Sequence, residues 1–221
     1  MGISQQIGSS SQIKPGVCTS ATRPASPYTG QVIFETDTNK MLVWNTSSWV
    51  MPNSPAQDPT GLVFIKTQPF SSTTNITSCF SATYDVYKMI LNDIVTNGDV
   101  QIGFRMLSGT TAASGASTYG VQRLYAHLTS VGASKSTLDY GRFGFGYNVV
   151  NNKSSYEATV YSPFKAQYTG VQSGSLYSAD GNALMDFNNS QHLVNASYDG
   201  IQIYMPSGTA TGTVSVYGFR N

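Results

Sequence analysis

The feature that most constrains this chain is the recurrence, from Gly61 to Asn221, of short apolar-polar alternations separated by Gly, Asn, Ser and Thr. A side-chain period of two belongs to strands, whose successive residues point to opposite faces. In Val100 to Met106, for example, Ile102, Phe104 and Met106 share one side while Gln101, Gly103 and Arg105 share the other. Comparable runs cover Leu62–Thr67, Asn75–Phe80, Val86–Ile94, Gly120–Leu128, Arg142–Val149, Tyr156–Tyr161, Gly200–Met205 and Thr213–Phe219. Helix is expected only briefly, around Ala183 to Asn188. So many strands without helices to cover a parallel sheet predict an all-β fold, with a jelly-roll-like β-sandwich over residues 61–221.

Composition matters here through what replaces charge. Only 10% of residues are charged, and Gly (21), Tyr (14), Phe (10) and abundant Ser, Thr and Asn fill the space. Aromatic and β-branched residues suit a pleated surface, while Gly and Asn supply positive φ in turns. The net charge of +1, without a block of like charge, disfavours nucleic acid as a partner, because phosphate-backbone binding needs a clustered basic face. Weak charge also gives little repulsion between subunits, which suits an assembling protein.

Upstream, residues 1–26 form a Ser/Gln/Pro/Gly-rich arm whose Ile3, Ile7, Ile13 and Val17 are too sparse to bury much apolar surface. Such an arm is expected to order against a neighbouring chain. Residues 27–51 read as a small β-meander: Gln31–Thr36 and Lys40–Asn45 around the turn Asp37-Thr38-Asn39, then Asn45 to Ser48 leading to Trp49-Val50-Met51. Residues 52–60 contain Pro52, Pro55 and Pro59 and read as a semi-rigid linker. A meander this small gains by packing on copies of itself, so Ile33, Phe34, Leu42, Trp44 and Trp49 are the expected oligomer interface.

The search for chemistry returns little. His127 and His192 have no Asp, Glu or Cys at ligand spacing, so no metal or other cofactor is expected, and His127 reads as a sheet-face residue. Asp37, Asn39 and Asp139 read as turn residues that cap their own backbone. Gly170-Val-Gln-Ser-Gly174 is one residue away from a nucleophile elbow and is expected in a loop. Carboxylates for glycoside cleavage would come from Glu35, Glu157 and a few aspartates that nothing gathers together. Gly141-Arg-Phe-Gly-Phe-Gly146 lacks the Lys-Ser/Thr of a phosphate loop, and its glycines read as sites of close strand approach. Catalysis is therefore not expected. Cys18 and Cys79 read as free thiols, and the Asn-x-Ser/Thr triplets beginning at Asn45, Asn75, Asn152, Asn188 and Asn195 as accidental. The opening Met-Gly-Ile-Ser-Gln-Gln lacks the apolar region of a signal peptide and has Gln6 where a myristoylation motif wants Ser or Thr. No apolar run reaches the ~20 residues of a membrane span, so membrane insertion is not expected.

The stretch Thr22-Arg-Pro-Ala-Ser-Pro-Tyr-Thr-Gly-Gln-Val-Ile-Phe-Glu-Thr-Asp-Thr-Asn-Lys-Met-Leu-Val-Trp-Asn-Thr-Ser-Ser-Trp-Val50 resembles an element of bacteriophage tail-fibre and other virion structural proteins, cyanophages among them. The part from Gly61 to Asn221, ending in Val-Ser-Val-Tyr-Gly, is similar more loosely to β-sandwich domains of phage particles. The resemblance implies a virion location, a homo-oligomer such as a trimer, attachment to other virion proteins through the N-terminal part, and no catalytic residues. The expected function is a tail-fibre or adhesin subunit whose sandwich contacts a host-surface glycan, with Tyr119, Tyr168 and Tyr177 as the loop residues proposed to touch it. The alternatives are a capsid decoration or head-fibre protein that stabilises the shell and, third, a glycan depolymerase.

Overall fold

The structure, a computed structural model, describes residues 15–52, 61–147, 154–179 and 182–220. The chain divides into two compact units, Met1–Asp58 and Pro59–Asn221. Among the described residues there are strands and turns and no helix.

In the first unit, β1 (Gly16–Cys18), β2 (Val32–Glu35), β3 (Lys40–Trp44) and β4 (Trp49–Val50) form one sheet in that order. Asn39 closes the β2–β3 hairpin at φ 55°, the left-handed conformation that Asn tolerates. Asn45 Oδ1 accepts from the backbone N–H groups of Ser47 and Ser48 and fixes the β3–β4 turn. β2, β3 and β4 pair antiparallel with their chain neighbours, and the sheet also takes in β1, from the residues read as an arm. β1 pairs in parallel with β2, and Cys18 O accepts from Thr36 N, so the arm's end belongs to this sheet. Backbone pairing supplies what its sparse apolar residues do not. Residues 1–14 and 53–60, which hold the rest of the arm and most of the linker, lie outside the described residues.

Register divides the sheet's side chains sharply. Ile33 and Leu42 are cross-strand partners and buried, on the same face as Glu35, which Arg23 and Thr38 hydrogen-bond. On the other face Val17, Phe34 and Met41 form one row and Val32, Val43 and Val50 the next. None of these six apolar residues is buried.

The second unit contains β5 (Gly61–Ser71), β6 (Thr74–Ile76), β7 (Val86–Thr96), β8 (Val100–Ser108), β9 (Thr111–Ala112), β10 (Tyr119–His127), β11 (Ser130–Leu138), β12 (Gly141–Gly146), β13 (Ser154–Tyr161), β14 (Gln167–Ala179), β15 (Asn182–Ala196), β16 (Gly200–Tyr204) and β17 (Ala210–Arg220). Eight of them form a sheet in the order β11-β10-β15-β14-β13-β7-β17-β5. The smaller sheet runs β12-β8-β16-β6, with β9 paired to β8. All these pairings are antiparallel. The core between the sheets joins Tyr87, Met89 and Leu91 of β7, Ile102, Phe104 and Met106 of β8, Ile201 and Ile203 of β16, and Val214 and Val216 of β17. This is a β-sandwich of unequal sheets, with more strands than the eight of a simple jelly roll.

The sequence leaves room for helix only around Ala183–Asn188, and there the structure has the middle of the long strand β15. The cause is an inverted face pattern. Asp186, Asn188, Ser190 and His192 point inward and are buried, while Met185, Phe187 and Leu193 point outward and are exposed. Buried polar groups need partners, and β12 supplies several of them. A register shift between Arg142 and Gly144 disrupts the ladder there. Asn188 Nδ2 and Ser173 Oγ donate to Phe143 O, and Ser190 Oγ accepts from Arg142 N. Gly144 completes the fit, because a Cβ there would stand 2.4 Å from Tyr156 Cε1.

Candidate functional site

The outer face of the eight-stranded sheet is open at its centre, where β10, β15, β14 and β13 run side by side. One transverse row across it reads Lys135, Gln122, Asn189, Gln172, Thr159, Lys88, each the register partner of the next. The adjacent row reads Gly120, Gln191, Gly170, Tyr161. Gln122, Gln172, Asn189 and Gln191 therefore crowd onto three neighbouring strands, about 4.8 Å apart. With Gly120, Gly170, Tyr161, Lys135 and Ser136 they line a hollow of about 470 Å³.

Each component has a physical role. Glycine on either side of Gln191 removes side chains that would fill the face, leaving a low floor. The Tyr161 ring stands beside Gly170, where a Cβ would be 3.8 Å from Tyr161 Cδ2, and the residue is 43% exposed. Among the described residues, none of the four amide side chains hydrogen-bonds another group of the chain. Each amide offers two N–H donors and a two-lone-pair acceptor, so the hollow presents eight donors on a strand-locked lattice beside one aromatic wall. A second hollow of about 570 Å³ shares Gln172 and extends over Lys88, Glu157, Thr159 and Gly174.

The inner side holds this face in place. Arg123 donates from Nε to Asp186 Oδ1 at 2.9 Å and lies over the rings of Tyr125 and Phe145. Burial raises the Asp186 carboxyl above its ordinary range, and Arg123 opposes that shift. His192 shares a 2.6 Å hydrogen bond between Nε2 and Tyr198 Oη, and burial lowers its pKa. These groups pin the strands beneath the amides from the inner side.

The tyrosines expected in glycan-contacting loops all lie in strands. Tyr119 is fully buried, accepting from Met106 N and donating to Ala113 O, and desolvation raises its pKa. Tyr177 is buried as well, 2.8 Å from His127 Nε2 and stacked on Tyr147. Neither can meet a surface ligand, because both occupy inward positions of β10 and β14. Tyr168 is 47% exposed on β14 but does not line the hollow. Gly170 to Gly174, expected in a loop, also lies within β14. Tyr161 and the amides were missed. The available signal was Asn189-x-Gln191 and Gly170-x-Gln172-x-Gly174, polar or empty at every second position, which identifies the exposed side of a strand.

Of the residues expected to form an oligomer interface, Ile33 and Leu42 are buried, while Phe34, Trp44 and Trp49 are partly exposed and the two tryptophan rings touch, centroids 5.5 Å apart. Register places Ile33, Leu42, Trp44 and Trp49 on one face of the sheet and Phe34 on the other. Cys18 and Cys79 are free thiols, and burial pushes the Cys79 thiol up to about 12. Glu35 and Glu157 lie in different units, Glu35 paired with Arg23 and Glu157 with Lys88. Among the described residues no group of three or more His, Cys, Asp or Glu is placed to hold a metal, and no helix is long and apolar enough to cross a membrane. Comparison with known proteins finds no matching family model, no matching curated protein and no matching solved structure.

Proposed function

We propose that this chain is a non-enzymatic adhesin subunit of a phage particle, and that it binds a surface glycan on the outer face of its eight-stranded sheet. One observation carries the glycan reading: four amide side chains without hydrogen-bond partners among the described residues converge on a glycine-floored hollow beside Tyr161. Sugar hydroxyls need alternating donors and acceptors, which amides supply, and the apolar face of a pyranose packs on an aromatic ring. A low charge count fits a ligand recognised by hydroxyls. Binding is favoured over cleavage because, of the carboxylates among the lining residues, Asp186 has its side chain buried and Glu157 is held by Lys88. Glycoside cleavage uses two carboxyl groups flanking the scissile bond.

Attachment to the particle rests on the N-terminal resemblance. For self-association, the supporting feature is the apolar row of Val17, Phe34 and Met41 with its neighbour Val32, Val43 and Val50, a face that holds Phe34 of the residues first expected. An uncharged face built from one residue class is complementary to itself, so a second and third copy are the proposed occupants. A capsid decoration protein would use the same face, and localising the protein in a particle map separates the two.

The glycan reading is tested on a microbial glycan array. Wild type is expected to bind a defined subset, and the double variant Gln122→Ala/Gln172→Ala to lose it with an unchanged far-ultraviolet dichroism spectrum. An array without specific binding removes the adhesin assignment.

A further inference from the structure

The two hollows repeat a single pattern. On β14 the outward positions run Gly170, Gln172, Gly174. Gly170 has Tyr161 as its register partner on β13, and Gly174 has Phe187 as its partner on β15. Tyr161 is 43% and Phe187 40% exposed, both high for large aromatic residues on interior strands of a wide sheet. A Cβ at Gly174 would meet nothing within 4 Å, so the floor beside Phe187 is as open as that beside Tyr161. The result is two aromatic-walled, glycine-floored platforms on opposite sides of one strand, with the amide of Gln172 between them.

We infer that the second platform, Phe187 and Gly174, is a further sugar subsite, and that the ligand is a linear oligosaccharide long enough to cover both. This inference rests on the glycan reading above. Four residues of strand separate the two glycines, a distance of about 13 Å at 3.3–3.4 Å per residue. That distance exceeds one pyranose ring, so a monosaccharide occupies one platform only, and a chain of about three sugars is the shortest that reaches both. Its path runs obliquely across β14, passing over Gln172, whose amide is positioned to hydrogen-bond the middle sugar. At the second platform the Lys88–Glu157 pair and Thr159 supply polar contacts at the rim. The inward-facing neighbours of Phe187, Asp186 and Asn188, are held by Arg123 and by the Phe143 carbonyl, so the platform is built on a fixed strand.

The sequence segment Gly170-Val-Gln-Ser-Gly174 thus has a role that needs no nucleophile. Its two glycines are the floors and its glutamine the bridge, while Val171 and Ser173 face the interior.

The test uses the full chain and the glycan that binds best on the array, presented as fragments of increasing length from a single sugar upward. For wild type, affinity is expected to rise by about tenfold or more once the fragment spans both platforms. Phe187→Ala, and separately Gly174→Trp, are expected to abolish that gain while leaving the affinity for the shortest fragments unchanged. Gly170→Trp should do the reverse, removing binding of short fragments. Dichroism and melting curves check that each variant is folded. A wild-type affinity independent of length, or a gain that survives both Phe187→Ala and Gly174→Trp, overturns the second subsite and leaves the adhesin reading standing. If no fragment binds at all, both readings fall together.

Discussion

Among the described residues, the N-terminal sheet and the eight-stranded sheet each carry a face of exposed or half-buried side chains, and the chemistry of the two faces differs. The first presents Val17, Val32, Phe34, Met41, Val43 and Val50, none buried and none able to hydrogen-bond through its side chain. The second presents, at its hollow, Gln122, Gln172, Asn189 and Gln191 over glycines. Apolar surface leaves water favourably only when another apolar surface covers it, so the first face calls for a protein partner. Amides are well solvated alone and gain from a ligand that replaces each water bond with another, so the hollow suits a hydroxyl-rich ligand and stays hydrated without one. Exposure alone does not identify a binding site. What the exposed groups do in water when nothing is bound distinguishes the two.

The largest expected effect comes from placing a charge on the apolar face. Val43 is paired with Val32 on one side and Val50 on the other, at the middle of the face. An unpaired carboxylate buried there by association costs several kcal/mol, so Val43→Asp is expected to weaken self-association by about a hundredfold or more. Multi-angle light scattering at micromolar concentration measures this. A monomeric wild type, or a variant that associates as well as wild type, removes the face from the interface.

The next effect separates the covered side of the large sheet from its open side through two glycines. Gly144→Ala forces a methyl group toward Tyr156 and is expected to destabilise the sandwich by about 1–3 kcal/mol. Gly174→Ala places the same group in open space and is expected to change stability by less than about 0.5 kcal/mol. Urea unfolding followed by far-ultraviolet dichroism compares them. Equal losses would mean that the outer floor is packed and not open.

Smaller again is the loss of the aromatic wall. Tyr161→Ala is expected to reduce glycan affinity about tenfold without changing association, while Val43→Asp leaves the affinity of each subunit unchanged. Titration calorimetry on both variants tests whether the two faces act independently. A change in glycan affinity in Val43→Asp would join what the comparison separates.

How far the sequence reveals this organisation depends on which face of a strand carries the apolar residues. β7, β8 and β13 bury their apolar positions largely in alternation, and their pattern is visible in the chain. β14 and β15 put Ser, Asn, Asp and His inside and Met, Phe, Gly and amides outside, so the same period appears with its polarity reversed and reads as loop or short helix. The polar interior holds only because the shifted register of β12 supplies carbonyl and N–H partners from a distant part of the chain, which no local pattern encodes. The site was missed for the same reason, since its residues lie mostly on those two strands. In the first unit, crowding of large apolar residues into a small meander points to Ile33, Phe34, Leu42, Trp44 and Trp49 as an interface. Pairing Ile33 with Leu42 turns both inward and leaves valines, Phe34 and Met41 to form the free face.

The last and smallest expected effect is a difference in acid response between the two units. Hydrogen bonds from Arg23 and Thr38 hold the Glu35 carboxyl below its ordinary range. A depressed carboxylate contributes stability above its unfolded pKa, near 4.3 for Glu, and that contribution is lost as pH falls through the lower folded value. Asp186 in the second unit is shifted the opposite way by burial, so its folded state binds a proton more readily than the unfolded chain does. Acidification through that range therefore works against the N-terminal sheet at Glu35 and in favour of the sandwich at Asp186. Both tryptophans, Trp44 and Trp49, lie in the first unit, so tryptophan fluorescence reports that unit alone, while far-ultraviolet dichroism is dominated by the strands of the second. Lowering the pH from neutral to below the carboxylate range is expected to shift the fluorescence signal before the dichroism signal, and Glu35→Gln should shift the fluorescence transition toward higher pH or make it present already at neutral pH. Coincident transitions by the two probes would show that the units unfold as one body, and that the contrast between their carboxylates does not govern the acid response.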